Sequence, residues 1–257
     1  MRERLLVIYS LFILSLIFLS SSVFAGEPLF DLSKTDYFEN AHFSFVQNIK
    51  KRSNPSGSHG RRLMPAEGEV LIDYRSNRNS NNYEMVTLSK KDDKFLYKTE
   101  LVVDRFGITV IYAMYDNEGN SSYLYSYDVF KEEASIEYLD EESEVKRKKV
   151  SVDKEVYSLM TIPYIVGAAD FNENGRHVLK AVVGDGRFFE IYIQKVNNEK
   201  IIVGDKTFEC KKIECGFTGI IGLFVPKMVF WVDEKTRIPV KQDMMGGAII
   251  ELEMVYD

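Results

Sequence analysis

Histidine, cysteine, proline and tryptophan are scarce in this chain: three, two, six and one among 257 residues. The histidines, His42, His59 and His177, stand far apart. No His-Glu-x-x-His, His-x-His or Cys-x-x-Cys spacing is present, so no local metal site is expected. A Gly-x-Ser-x-Gly elbow, a P-loop and a dinucleotide fingerprint are also missing. These absences predict no catalytic residues, no cofactor and a non-enzymatic role. An enzyme would have to bring His42 or His177 beside carboxylates from distant parts of the chain. Positive charge is short as well, with a net charge of −6, which argues against a nucleic-acid partner.

Only one long apolar run exists, and it is N-terminal. Arg2 and Arg4 precede Leu5–Leu19, which is interrupted only by Ser10 and Ser15. Ser20-Ser21-Ser22-Val23-Phe24-Ala25 follows. A basic segment, an apolar segment and a Val-x-Ala site in that order read as a secretory signal over residues 1–25, cleaved near Ala25. The run is short for a span of about 20 residues; the alternative is an uncleaved anchor. No cysteine near the site offers a lipid anchor. The expectation is a soluble periplasmic protein from Gly26 onward, with no transmembrane span after cleavage.

Cys210 and Cys215 lie five residues apart. On an extended strand their Cα atoms would be about 16 Å apart, whereas a disulfide needs about 7 Å or less. Bridging requires a tight turn at Lys211-Lys212. A bulge at those lysines would instead align Phe208, Cys210, Ile213, Cys215 and Phe217 on one apolar face. Two separate thiols are the preferred reading.

What is abundant is aromatic: 15 tyrosines and 17 phenylalanines. Together with Val and Ile they fall in short period-two runs, such as Phe43/Phe45, Val70/Ile72/Tyr74, Leu101/Val103 and Ile108/Val110/Tyr112. Turn chemistry separates runs at Asp116–Asn120, Gly184-Asp185-Gly186 and Gly246-Gly247. One segment departs from this pattern. Asp153 is a helix-start residue, Val156, Leu159 and Met160 have helical spacing, and Pro163 follows. Glu137–Lys149 is charge-dense and reads as a solvent-facing connection. The expected fold is mainly β: a single curved antiparallel sheet or open β-barrel with one short helix at about 153–162. Residues 26–257 form one domain.

Three local features invite functional readings. Asp170–Gly175 fits half of an EF-hand loop, but the twelfth position is Ala181, so a side-chain-held turn is preferred. Asp140, Glu141, Glu142 and Glu144 neighbour Lys146, Arg147, Lys148 and Lys149 and read as a solvated loop. So does Ser53–Gly60, which lies between Lys50, Lys51, Arg52 and Arg61, Arg62, although a phospholipid-headgroup contact is a second reading there. Phe217–Val225 has two glycines and no charge. It reads first as a buried strand end and bend. Its second reading is an apolar loop at the mouth of a groove, touching an acyl chain or a membrane face through Phe217, Ile220, Ile221, Leu223 and Phe224.

The C-terminal forty residues hold the most specific pattern. Gly222–Lys241 contains Trp231-Val232-Asp233 and Arg237-Ile238-Pro239-Val240, followed by Gly246-Gly247 and a last apolar run. This resembles the C-terminal pattern of the DUF3108 family of exported bacterial proteins, best from about Val152 onward. Asp153–Met160 is similar to that family's central helix. The resemblance implies a structural motif of Trp231, Asp233, Arg237, Pro239, Gly246 and Gly247, with Asp233–Thr236 as a hairpin turn. It supplies fold and compartment but no activity. A similar hairpin occurs in periplasmic lipoprotein carriers of the LolA/LolB type, open barrels that hold acyl chains. The expected partners are therefore a lipid or other apolar ligand, or an envelope protein. The alternative is a structural or interaction module of the envelope with no small-molecule ligand.

Overall fold

The computed structural model describes residues 29–35, 38, 42–51, 68–79, 82–92, 94–128, 130–139, 144–152, 156–171, 175–183, 186–244 and 248–255. The signal-like residues 1–25, Gly26, Ser53–Gly60 and Gly246-Gly247 lie outside them.

The period-two runs form strands: β1 (His42–Lys51), β2 (Gly68–Asn79), β3 (Asn82–Lys91), β4 (Lys94–Asp104), β5 (Thr109–Tyr115), β6 (Ser121–Asp128), β7 (Glu133–Leu139), β8 (Val145–Ser151), β9 (Val156–Ser158), β10 (Arg176–Val182), β11 (Phe188–Val203), β12 (Lys206–Phe217), β13 (Met228–Asp233), β14 (Pro239–Asp243) and β15 (Ala248–Val255). Among the described residues two short α-helices complete them, α1 (Ile162–Ile165) and α2 (Ile221–Phe224). All strands belong to one sheet in the order β8-β7-β6-β5-β4-β3-β2-β1-β15-β14-β13-β12-β11-β10-β9. Every pairing is antiparallel except β9 with β10. Two meanders thus run outward from a seam where β1 meets β15, with Ser44 opposite Val255 and Lys51 opposite Ala248.

The sheet curls until its far ends approach each other. The Ser158 amide, at the end of β9, donates to the Thr109 hydroxyl on β5, and that hydroxyl lies 2.9 Å from the hydroxyl of Thr161. Gly186, in the β10–β11 turn, sits against Ile136 of β7 and Val150 of β8. This is the mainly β, open-barrel architecture expected from the alternation.

Inward positions hold Tyr74, Tyr83, Met85, Leu101, Tyr125 and Phe230, all buried. Met85, Leu101 and Phe230 each contribute roughly 1.5–3 kcal/mol by leaving water. Residues 29–35 cross the end of the barrel that carries the β4–β5 turn. Phe30 and Leu32 are buried there, the Leu32 amide donates to the Arg105 carbonyl, and Arg105 clamps Asp31.

The helix lies later in the chain than expected. Val156–Ser158 is strand; helical turns occupy Leu159–Thr161, α1 and Val166–Ala168. Asp153 lies outside the described residues. Pro163 sits in the first turn of α1 rather than beyond its end, where its missing N–H costs nothing. The β-branched and aromatic pair Val156-Tyr157 suits the strand. A second correction concerns Glu137–Lys149, which is a hairpin of β7 and β8 and not a connection. Arg147 pairs with Glu137 at 2.7 Å and Lys149 with Glu133 at 2.9 Å across the strands. The exposed residues of β8 match the solvent-facing reading, and its lysines blunt an open sheet edge.

Candidate functional site

The apolar 217–225 run becomes a projecting tip on the β12–β13 connection. Phe217 ends β12 and is buried, with its ring 5.2 Å from that of Phe189. Gly219 takes φ +62, and the chain then forms α2. At Gly222 a Cβ would fall on the Phe217 carbonyl oxygen, so this tight turn requires glycine. Beyond Phe217 the side chains face water: Ile220 is 75 % exposed, Ile221 42 %, Leu223 80 % and Phe224 80 %. The buried-bend reading fails for these four residues and holds for Phe217. An exposed apolar cluster of this kind is the sort of surface that contacts partners or lipid.

In the C-terminal motif, the described residues make packing and turn contacts. Phe230 points into the core. Trp231 lies on the outer face between the ammonium groups of Lys212 and Lys241, 5.2 and 5.6 Å from its ring. Its indole N–H donates to Glu199, which, with Lys212 nearby, holds that carboxyl below its ordinary range. Lys241 also pairs with Glu251 at 3.0 Å. Asp233 makes the expected turn by accepting from the Thr236 amide and hydroxyl at 2.8 and 2.7 Å. Arg237 adopts φ +61 within that turn, and Pro239 opens β14.

Cys210 and Cys215 are separate, buried thiols. The bulge lies not at Lys211-Lys212 but on the partner strand, between Lys195 and Asn197. β12 therefore alternates without interruption, and residues five apart face opposite sides. Burial pushes both thiols up to about 12.

The remaining candidates have plain roles. Asp170 pairs with Lys34 at 3.0 Å, and Asn172–Asn174 lie outside the described residues. Asp140, Glu141 and Glu142 also lie outside them, while Glu144 pairs with Lys146. Among the described residues no three His, Cys, Asp or Glu side chains converge as metal ligands would. His42 does meet a carboxylate, Asp73 at 2.9 Å, which Arg75 also holds at 3.0 Å; the His42 side chain is well exposed. His177 packs against Phe171, and desolvation lowers its pKa.

Sequence reasoning missed a hydroxyl belt inside the barrel. Tyr164 of α1 shares hydrogen bonds with Thr99, Tyr112 and Thr87, and Thr109 meets Thr161. Threonine at inward strand positions was the available signal. Described residues line openings of very different size. One, of about 10 Å³, lies between Val166, Lys211 and Arg237. The other, of about 340 Å³, is an open cleft beside Arg78, Tyr83 and Arg105. No helix among the described residues is long and apolar enough to cross a membrane.

The fold defines a β-barrel-like protein. No protein-family model and no curated protein sequence matches the chain. Among solved structures it is similar to a β-barrel-like protein of the domain of unknown function DUF1849 from Brucella abortus. The TM-score is 0.45 and the identity 9 %, over 86 % of this chain and 100 % of that one.

Proposed function

We propose that this chain is an exported, non-enzymatic periplasmic protein, of the kind the DUF3108-like motif suggests, that engages an apolar envelope component through its α2 tip. The carrying observation is the exposure of Ile220, Leu223 and Phe224 on a turn whose base, Phe217, is anchored in the core. The signal-like N-terminus supports export. Core side chains fill the inward strand positions, the opening beside α1 is water-sized, and the larger cleft beside Arg78 and Arg105 is open to solvent rather than enclosed by the barrel. The tip therefore favours contact outside the barrel over carriage within it.

The test is fractionation of cells expressing the full chain or the double variant Leu223→Asp/Phe224→Asp. The wild type is expected with the membranes and the variant in the soluble periplasmic fraction. Equal distribution of the two would overturn the reading. So would a stoichiometric lipid extracted equally from both, because it would place the ligand away from the tip.

A further inference from the structure

We infer that Asn120 is a glycosylation acceptor, whose side-chain amide takes an oligosaccharide from a lipid-linked pyrophosphate donor as the chain is exported. The inference rests on the export half of the reading above and is independent of the α2 tip.

Asn120-Ser121-Ser122 has the Asn-x-Ser/Thr spacing of such acceptors, with a middle residue other than proline. One other asparagine in the sequence stands two residues before a serine or threonine. It is Asn54, and Pro55 disqualifies it. The motif is short, so its surroundings decide its worth. An acceptor belongs on a surface turn of an exported chain. Asn120 closes the turn between β5 and β6, and residues 117–120 are all exposed. Beside it Gly119 takes φ +84, and a Cβ there would meet no described atom within 4 Å. A bulky group at this turn therefore has open space around it.

The turn does not depend on the acceptor's side chain. The Asp116 carboxylate accepts from the amides of Glu118 and Asn120 at 2.9 and 2.8 Å, and the Asp116 amide donates to the Asn120 carbonyl at 3.0 Å. These bonds form the turn through the Asp116 side chain and the backbone. The Asn120 side-chain amide makes longer contacts, 3.4 Å to Asp116 and 3.3 Å to Glu118. A sugar would replace one of its two N–H groups and leave the other to donate. Glu118, exposed and two residues ahead, adds a carboxylate that a cationic site on a transferase can grip.

In the transfer the Asn120 amide nitrogen attacks the anomeric carbon of the donor. A nitrogen–carbon bond forms and the carbon–oxygen bond to pyrophosphate breaks. The lipid pyrophosphate leaves with the bonding pair, and the amide gives up one proton. The folded hairpin hides part of the motif, because the Ser122 hydroxyl donates to the Met114 carbonyl at 3.0 Å. Transfer therefore acts on the emerging chain. A lone two-stranded hairpin is only marginally stable, so the motif stays accessible until β4 and β7 flank β5 and β6.

The experiment is mass-spectrometric peptide mapping of the full chain, recovered from fractionated cells of the kind that naturally make it. The peptide containing Asn120 is expected to carry whole-sugar mass increments. Asn120→Gln and Ser122→Ala should each lose them, and Ser122→Thr should keep them. Asn120→Gln removes no short contact, so an unchanged melting temperature verifies its fold. A bare Asn120 peptide from exported wild type overturns the inference and leaves the proposed function standing. Sugar that persists in Asn120→Gln overturns it too, by placing the modification elsewhere. A chain found in the cytoplasm with residues 1–25 still attached overturns both.

Discussion

Asp31 shows how one side chain can hold a segment that has almost no secondary structure. Its carboxylate accepts from Nε and Nη2 of Arg105, both at 3.0 Å, and from the Ser33 hydroxyl and amide. The Arg105 guanidinium holds the carboxyl well below the usual carboxylate range. A carboxyl depressed by folding contributes stability above its unfolded pKa and loses it as pH falls through that value toward the folded one. The melting temperature should therefore drop as pH is lowered from about 5 to about 2. Asp31→Asn should melt lower than wild type at neutral pH and lose less in the acid window. Parallel acid profiles for the two proteins would show that the clamp contributes nothing. The pair is partly open to solvent, so added salt should shrink the difference.

At the scale of elements, hydroxyl pairing joins the β9 end of the sheet and the helical segment that follows it to β5. The Thr109 hydroxyl is buried between the Thr161 hydroxyl and the Ser158 amide. Thr109→Val keeps the shape and leaves a buried donor without its partner. It should cost about 1–3 kcal/mol in denaturant unfolding; a loss below about 0.5 kcal/mol would mean that the neighbours re-pair. The same place shows what was legible in the sequence. Strand existence was readable because alternation is local, as with Val70, Ile72 and Tyr74 in β2 and Leu101 and Val103 in β4. Facing was not always readable. The run Ile108, Val110, Tyr112 has the spacing of one apolar face, but a register shift beside Val102-Val103 turns Thr109 inward with Tyr112. Pro163 carried an ambiguous signal, since proline both follows helices and starts them, and the strand propensity of Val156-Tyr157 decided the matter. At the tip, apolar composition was plain, but exposure depends on whether another part of the fold covers the turn, and no local pattern encodes that.

Across the whole molecule, β15 is the piece that joins the two meanders, pairing with β1 on one side and β14 on the other. The Gly246-Gly247 turn signals the pairing with β14, but nothing local announces the pairing with β1, which lies far away in the chain. Removing residues 248–257 should open the sheet at its middle. The truncated chain is expected to lose cooperative thermal unfolding and near-ultraviolet circular dichroism together. A sharp melt in that chain would show that each meander folds independently of the seam.

That seam also sets a clock. Ser44 and Val255 face each other across it, yet about two hundred residues separate them, and contacts this distant form late and slowly. A polypeptide emerging from its N-terminus makes β1 early and must keep one side of it unpaired until the final strand arrives. During that interval the molecule presents a free strand edge to anything able to pair with it. The wait for β15 is thus a window in which the newly made chain is open to aggregation.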